Sequence, residues 1–312
     1  LIEQLRKSHI TQKAVICRAL LGRNAVEAAA ALVDAARTGD PSVRTEAIRA
    51  LHSLAGRREM SALVDLIFIV EPVETDQVGK ALVAVAGRNS MHRECAQEIL
   101  SRYDRAVNTN QRVALLLTLG RLGHELALTK LREALQDDDS HIRYTAIKAL
   151  SLWPDAAPTG DLLEVAESAK DPTHSVLALR GFIDLIDAAA LSADRKLALC
   201  QKAMQLARHN AERKKILSVL ADLNTLDAFK MAVSQLDNPS LRNEAALAAC
   251  RIAQHIYATQ GSQLKGDLER IVQADVVEPT KQQALQILRN INKITQNKMP
   301  SGASLPVEHQ EP

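Results

Sequence analysis

The chain has 312 residues and a mass of 34.0 kDa, which leaves room for two or three ordinary domains or for one elongated repeat array. Its 46% hydrophobic and 24% charged residues belong to a folded chain and exclude a disordered one. A net charge of +2, from 39 Lys and Arg against 37 Asp and Glu, lacks the basic excess of a dedicated nucleic-acid binder, and an aromatic content of 2% argues against a β-sandwich or β-barrel core.

The opening segment, Leu1 to Ile10, is already amphipathic and helical, and it starts on Leu rather than Met. That beginning is expected of a chain cut from inside a longer protein. A second amphipathic helix is predicted from Val26 to Ala36. It is followed by Asp40-Pro41-Ser42-Val43-Arg44, which runs into a helix with apolar residues at Ala47, Ile48, Leu51 and Leu54. The start of this helix is chemically marked. Asp40 can accept a hydrogen bond from the free N–H groups of the first turn, and Pro41 stands where its missing N–H costs nothing.

The same segment returns further along. Asp139-Ser140-His141-Ile142-Arg143 leads into Ala146, Ile147 and Leu150, and Asn238-Pro239-Ser240-Leu241-Arg242 leads into Ala245. A looser copy begins at Asp171-Pro172, and weaker copies put Arg112 and Arg213 where Arg44 stands. The position of Leu51 recurs roughly every 34 residues, at Leu20, Val85, Leu119, Leu150, Phe182, Leu220, Ala249 and Leu288. Each unit reads as two helices, with first helices such as His124–Leu135 and Leu197–Leu206. Gly56, Gly87, Gly123 and Pro154 are expected in the links. Small residues at Ala50, Ala84, Ala149 and Gly181 are expected to let neighbouring helices approach. The segment 296–312 has Pro, Gly and Ser and no helical period, and is expected to be a disordered tail. The repeats then occupy 1–295.

The D-P-S-V-R-T-E-A-I-R-A-L segment, the two-helix unit and the period together resemble HEAT repeats, more narrowly the short bacterial HEAT-like units related to those of phycobilin lyases. The resemblance implies an all-α, right-handed α-solenoid of about nine two-helix repeats. It also implies a structural ladder of Asp and Arg between successive units, carried by Asp40, Arg44, Arg112, Asp139, Arg143, Arg213 and Arg242. Asn238 replaces the acid in the last of these, while Lys13, Val78 and Gln282 interrupt the Arg position elsewhere. In such arrays the motif-bearing helices line the inner surface. Arg18, Arg49, Lys148 and Arg180 then share one exposed column and form a candidate partner-binding face, with Val83, Leu117, Ser218, Leu247 and Gln286 at the same position in other units.

Catalytic and metal-ligating patterns are absent from the sequence. There is no glycine-rich phosphate loop and no H-e-x-x-H helix, and His124-Glu125 does not extend into one. Asp137-Asp138-Asp139 lies between two predicted helices and reads as a cap, not as a calcium loop. No catalytic, cofactor or metal residue is therefore assigned. Cys17, Cys95, Cys200 and Cys250 have no C-x-x-C spacing and read as buried free thiols. A local basic excess at Lys196, Lys202, Arg208, Arg213, Lys214 and Lys215 has no aromatic interleaved to stack a base. Trp153, the single Trp, reads as packing at the end of a unit.

These features predict a non-enzymatic scaffold that binds another protein, with no nucleic-acid partner, no membrane span, no cofactor and a cytoplasmic location. The start at Leu1 sustains one alternative, an accessory C-terminal domain of a longer enzyme or envelope protein. The resemblance alone sustains another, a tetrapyrrole (bilin) lyase or chaperone, although such a groove needs aromatic groups that are scarce here.

Overall fold

A computed structural model describes residues 1–298. All the regular structure among them is helical, in two compact units, Leu1–Ala189 and Ala190–Pro312. The first unit holds twelve α-helices: α1 (Ile2–Lys7), α2 (Ile10–Gly22), α3 (Ala29–Thr38), α4 (Pro41–Leu54), α5 (Met60–Leu66), α6 (Pro72–Arg88), α7 (His92–Tyr103), α8 (Thr109–Leu122), α9 (Glu125–Ala134), α10 (Ser140–Ser151), α11 (Thr159–Ser168) and α12 (Pro172–Ala188). The even-numbered helices pack one on the next from α2 to α12, and α1, α3, α5, α7 and α9 form a second layer behind them. This is the solenoid arrangement expected from the repeat: each hairpin buries its apolar stripe against its neighbours, so the core lengthens without thickening.

The positions spaced by the repeat supply that core. Leu51, Val85, Leu119, Leu150 and Phe182 are fully buried and Leu20 nearly so, on α4, α6, α8, α10, α12 and α2. Each such aliphatic side chain contributes about 1.5–3 kcal/mol of transfer free energy. The helix starts follow the local chemistry. Asp40 Oδ1 accepts from Ser42 N at 3.0 Å, Asp139 Oδ1 from His141 N at 2.8 Å, and Asp171 Oδ1 from Thr173 N at 2.8 Å. Gly123 ends α8 in the left-handed region at φ 66°, where a β-carbon would be strained. Trp153 is buried where α10 ends.

Three local expectations are corrected. Gly87 lies in the last turn of α6 and not in a link, because α6 runs from a Glu71-Pro72 cap to Arg88. Ala84 is half-exposed, and α6 approaches α8 through Gly79, whose missing side chain leaves space for Thr118. The helix predicted from Val26 begins with a short 3-10 turn, Val26–Ala28, before α3.

The second unit holds α13 (Ala193–Leu206), α14 (Asn210–Leu220), α15 (Leu226–Val233), α16 (Arg242–Gln273) and α17 (Glu278–Lys298). α14 packs on α13 and α16, α15 packs on α16, and α16 packs on α17. α16 breaks at Gln260 (φ −124°, ψ 17°), just before Gly261-Ser262, so its two halves serve successive hairpins. Counted that way, the described residues make nine helix pairs, as the spacing predicts. Leu220 and Ala249 are fully buried, but Leu288 is half-exposed. The stripe of α17 is narrower, at Thr280, Ala284, Ile287 and Ile291, because α17 packs chiefly on the single neighbour α16. α17 continues to Lys298, past the expected boundary at residue 295, and the rest of the expected tail lies outside the described residues.

Candidate interaction surface

The arginines of the repeat do not form a ladder with the aspartates of the repeat. Asp40 and Asp139 are occupied as caps. Arg143 Nη1 donates to the backbone carbonyls of Asp137 (2.7 Å) and Asp138 (2.9 Å), Arg213 Nε to that of Ala207 (3.2 Å), and Arg242 Nε to that of Leu236 (3.0 Å). In each case the guanidinium reaches back six residues and closes the turn of its own hairpin, satisfying carbonyls left free where the preceding helix ends. Arg112 is exposed at the surface. Arg44 reaches the next unit, where its partner is Glu74: Arg44 Nε donates to Glu74 Oε2 at 2.7 Å, with side-chain exposures of 12% and 8%. Glu74 occupies a buried stripe position of α6 and also accepts from the backbone N–H of Glu71. Glu74 stands 34 residues after Asp40, the interval that separates Val85 from Leu51, so the spacing itself points to it; what hides it is that α6 is capped at Glu71 and Glu74 lies inside the first turn.

The predicted basic column fares differently. Arg18, Arg49, Lys148 and Arg180 stand on α2, α4, α10 and α12, four helices of the even layer, and all four are exposed. They therefore share one face of the first unit. Between them the column passes through half-exposed Val83 on α6 and Leu117 on α8. Two carboxylates, neither assigned from the sequence, sit among the cations. Glu46 Oε1 accepts from Arg18 Nη1 at 3.1 Å, and its Oε2 lies 3.7 Å from Arg49 Nη1. Asp76 is held between Lys80, at 2.8 Å, and Arg121 of α8. The i, i+4 spacing of Asp76 and Lys80 is the one signal in the sequence that could have flagged the second cluster. The carboxyl of Asp76 carries opposing influences: burial raises its pKa, but the lysine and the arginine outweigh that and hold it below the ordinary carboxylate range.

A groove of about 580 Å³ opens on this face between α4 and α6, lined by Arg49, Lys80, Glu46, His52, Thr45 and Gln77, with Ile48 and Leu21 as its apolar part. A second hollow, of about 360 Å³, lies between the α9–α10 and α11–α12 turns and includes Arg143, Lys170, Asp171 and His174. Arg143 is already engaged there as a turn clamp, and the His174 ring is buried 6.2 Å from that of Tyr144.

The basic run at Lys196–Lys215 is not gathered into one patch. Lys214 pairs with Glu244 at 2.5 Å, Arg213 clamps its own turn, and Lys202 and Arg208 are exposed on and just after α13. Among the described residues no three His, Cys, Asp or Glu side chains are grouped to hold a metal ion, and no helix is long and apolar enough to cross a membrane. The four cysteines are buried.

No curated protein was found to match the chain. Residues 96–180, from α7 into α12 of the first unit, match the family model of HEAT repeats. That stretch is HEAT-like, and the hairpins that precede it in the first unit follow the same two-layer packing.

Proposed function

We propose that this chain is a non-enzymatic scaffold that binds another protein on the exposed face of α2, α4, α6, α8, α10 and α12. The observation that supports the reading is the continuous even-numbered layer itself: six successive helices turn one surface outward, and that surface carries cations, half-exposed aliphatic side chains and a groove. Proteins built of HEAT repeats are generally interaction scaffolds, and extended repeat surfaces suit a partner that lies across several units. The buried free thiols of Cys17, Cys95 and Cys250 suit a reducing compartment, so a cytoplasmic location belongs to the same reading.

Photocrosslinking tests it. Benzoylphenylalanine in place of Leu117, on α8 of this face, should give an adduct with one partner protein in cells. The same group in place of exposed Gln97, on α7, should not. Equal adducts from both sites, or a turnover by the isolated chain, would sink the proposal.

A further inference from the structure

The geometry points to an extended acidic peptide segment of a partner protein as the occupant of the α4–α6 groove. This rests on the scaffold reading above and gives it a chemistry. The two charged clusters on the face share one composition: two cations around one carboxylate. Arg18 and Arg49 flank Glu46, and Lys80 and Arg121 flank Asp76, so each cluster keeps one positive charge in surplus. Arg49 and Lys80 form the rim and the carboxylate of the first cluster is recessed, whereas Arg121 of the second, 21% exposed, lies deeper than Asp76 at 44%. The side chains of Arg49 and Lys80 are 68% and 56% exposed, whereas that of Glu46 is 15% exposed. An approaching ligand meets the positive charge first.

The recessed acid is also incompletely satisfied. Glu46 Oε2 is buried with no hydrogen-bond partner, and Arg49 stands 3.7 Å from it, beyond hydrogen-bonding distance. The Arg49 fork can therefore turn outward to a ligand carboxylate without giving up a formed bond, and a planar guanidinium binds a carboxylate in two-point fashion. Further along the same face, Lys148 has no ion-pair partner among the described residues.

The groove volume of about 580 Å³ lies within the usual range of ligand pockets. Its lining explains why the occupant is a peptide. Thr45, His52 and Gln77 provide hydrogen-bonding groups for a main chain, and Ile48 with Leu21 provides a small apolar floor for an aliphatic side chain between two acids. No Phe, Tyr or Trp lines it, so a nucleobase finds no large ring to stack on.

The test uses the full chain and fluorescein-labelled hexaglutamate, read by fluorescence anisotropy at low salt. Hexalysine and an oligothymidylate serve as comparison probes. Hexaglutamate should bind saturably. The charge reversals R49E/K80E should weaken it by at least about tenfold, since like charges then face each other, and the neutral pair R49Q/K80Q should weaken it less. K202E/K265E changes net charge by the same amount at exposed positions of the second unit and should leave binding unaltered. Unchanged urea midpoints in the variants would exclude misfolding as the cause. An absence of saturable hexaglutamate binding, an equal loss in K202E/K265E, or equal or tighter binding of hexalysine or oligothymidylate would overturn the inference. If any of these occurs while the Leu117 adduct persists, the acidic specificity falls and the scaffold reading stands; if the adduct is also lost, both fall.

Discussion

Arg44 Nε lies 2.7 Å from Glu74 Oε2, and the pair ties α4 to α6 almost out of contact with water. A charge in that setting is tolerated because its counter-ion is in place, and the geometry is strict because Glu74 also holds the backbone N–H of Glu71. The pair joins two successive hairpins across 30 residues of sequence.

Removing one partner should therefore cost more than removing both. Arg44→Ala or Glu74→Ala is expected to destabilise the first unit by about 3 kcal/mol, because each leaves a buried, uncompensated charge. The apolar double replacement R44M/E74L should cost much less than the sum of the two single losses. Urea unfolding of the four proteins, read as a double-mutant cycle, checks the coupling; additive losses would show that the ion pair is not what joins the two helices.

Two glycines inside helices should respond to alanine in opposite directions. A β-carbon on Gly120 would stand 2.7 Å from both the carbonyl carbon and the Cα of Ala149, so α8 and α10 would have to part; Gly120→Ala is expected to cost about 1–3 kcal/mol. Gly266, on α16, has nothing within 4 Å of the same position, and Gly266→Ala should stabilise by about 0.5–1 kcal/mol through helix propensity. Thermal or urea midpoints of both variants decide the signs.

Acid should weaken the helix starts. Asp40 and Asp171 are held below the ordinary carboxylate range chiefly by accepting the backbone N–H of Ser42 and Thr173. A carboxyl with a depressed pKa contributes stability that is whole above its unfolded value and disappears as pH falls through the folded one. Stability should accordingly decline below about pH 4. D40N/D171N keeps a capping oxygen but cannot titrate, so its urea midpoint should change less than the parent's between neutral and acid solution.

The thiols should be inert in the folded chain. Burial, with Glu46 adding to it, pushes Cys17 up to about 11; burial with Glu98 pushes Cys95 up to about 12; burial alone takes Cys250 to about 12. Alkylation with iodoacetamide near pH 8 should leave these cysteines unmodified over a time in which the urea-unfolded chain is fully labelled. The same shifts have a sign in stability. A thiol whose folded pKa is raised favours the native state fully below its ordinary value of 9.0, and that contribution is lost as pH climbs toward 11 and 12. Urea midpoints should fall in strongly alkaline solution, and replacing Cys95 by Ala should reduce that fall.

The amino-acid sequence by itself determined the hairpin, its period and its caps. These are local properties: the apolar stripe of a helix and the reach of Asp40, Asp139 and Asp171 to their own first turns need no distant partner, so they can be read a few residues at a time. It also put Arg18, Arg49, Lys148 and Arg180 on helices of the even-numbered layer, where all four are exposed. Only the tertiary structure decided the partners. Arg143, Arg213 and Arg242 turn back on carbonyls, which every residue possesses and no spacing reveals. Glu74, Glu46 and Asp76 meet their arginines across helices 28 to 45 residues apart in the chain. α6 runs through Gly87 to Arg88 and leaves Ala84 half-exposed, although Val85 keeps its repeat position in the core. Pairing between helices depends on their relative rotation and length, and those are set by the packing of whole stripes, not by the residues that finally touch.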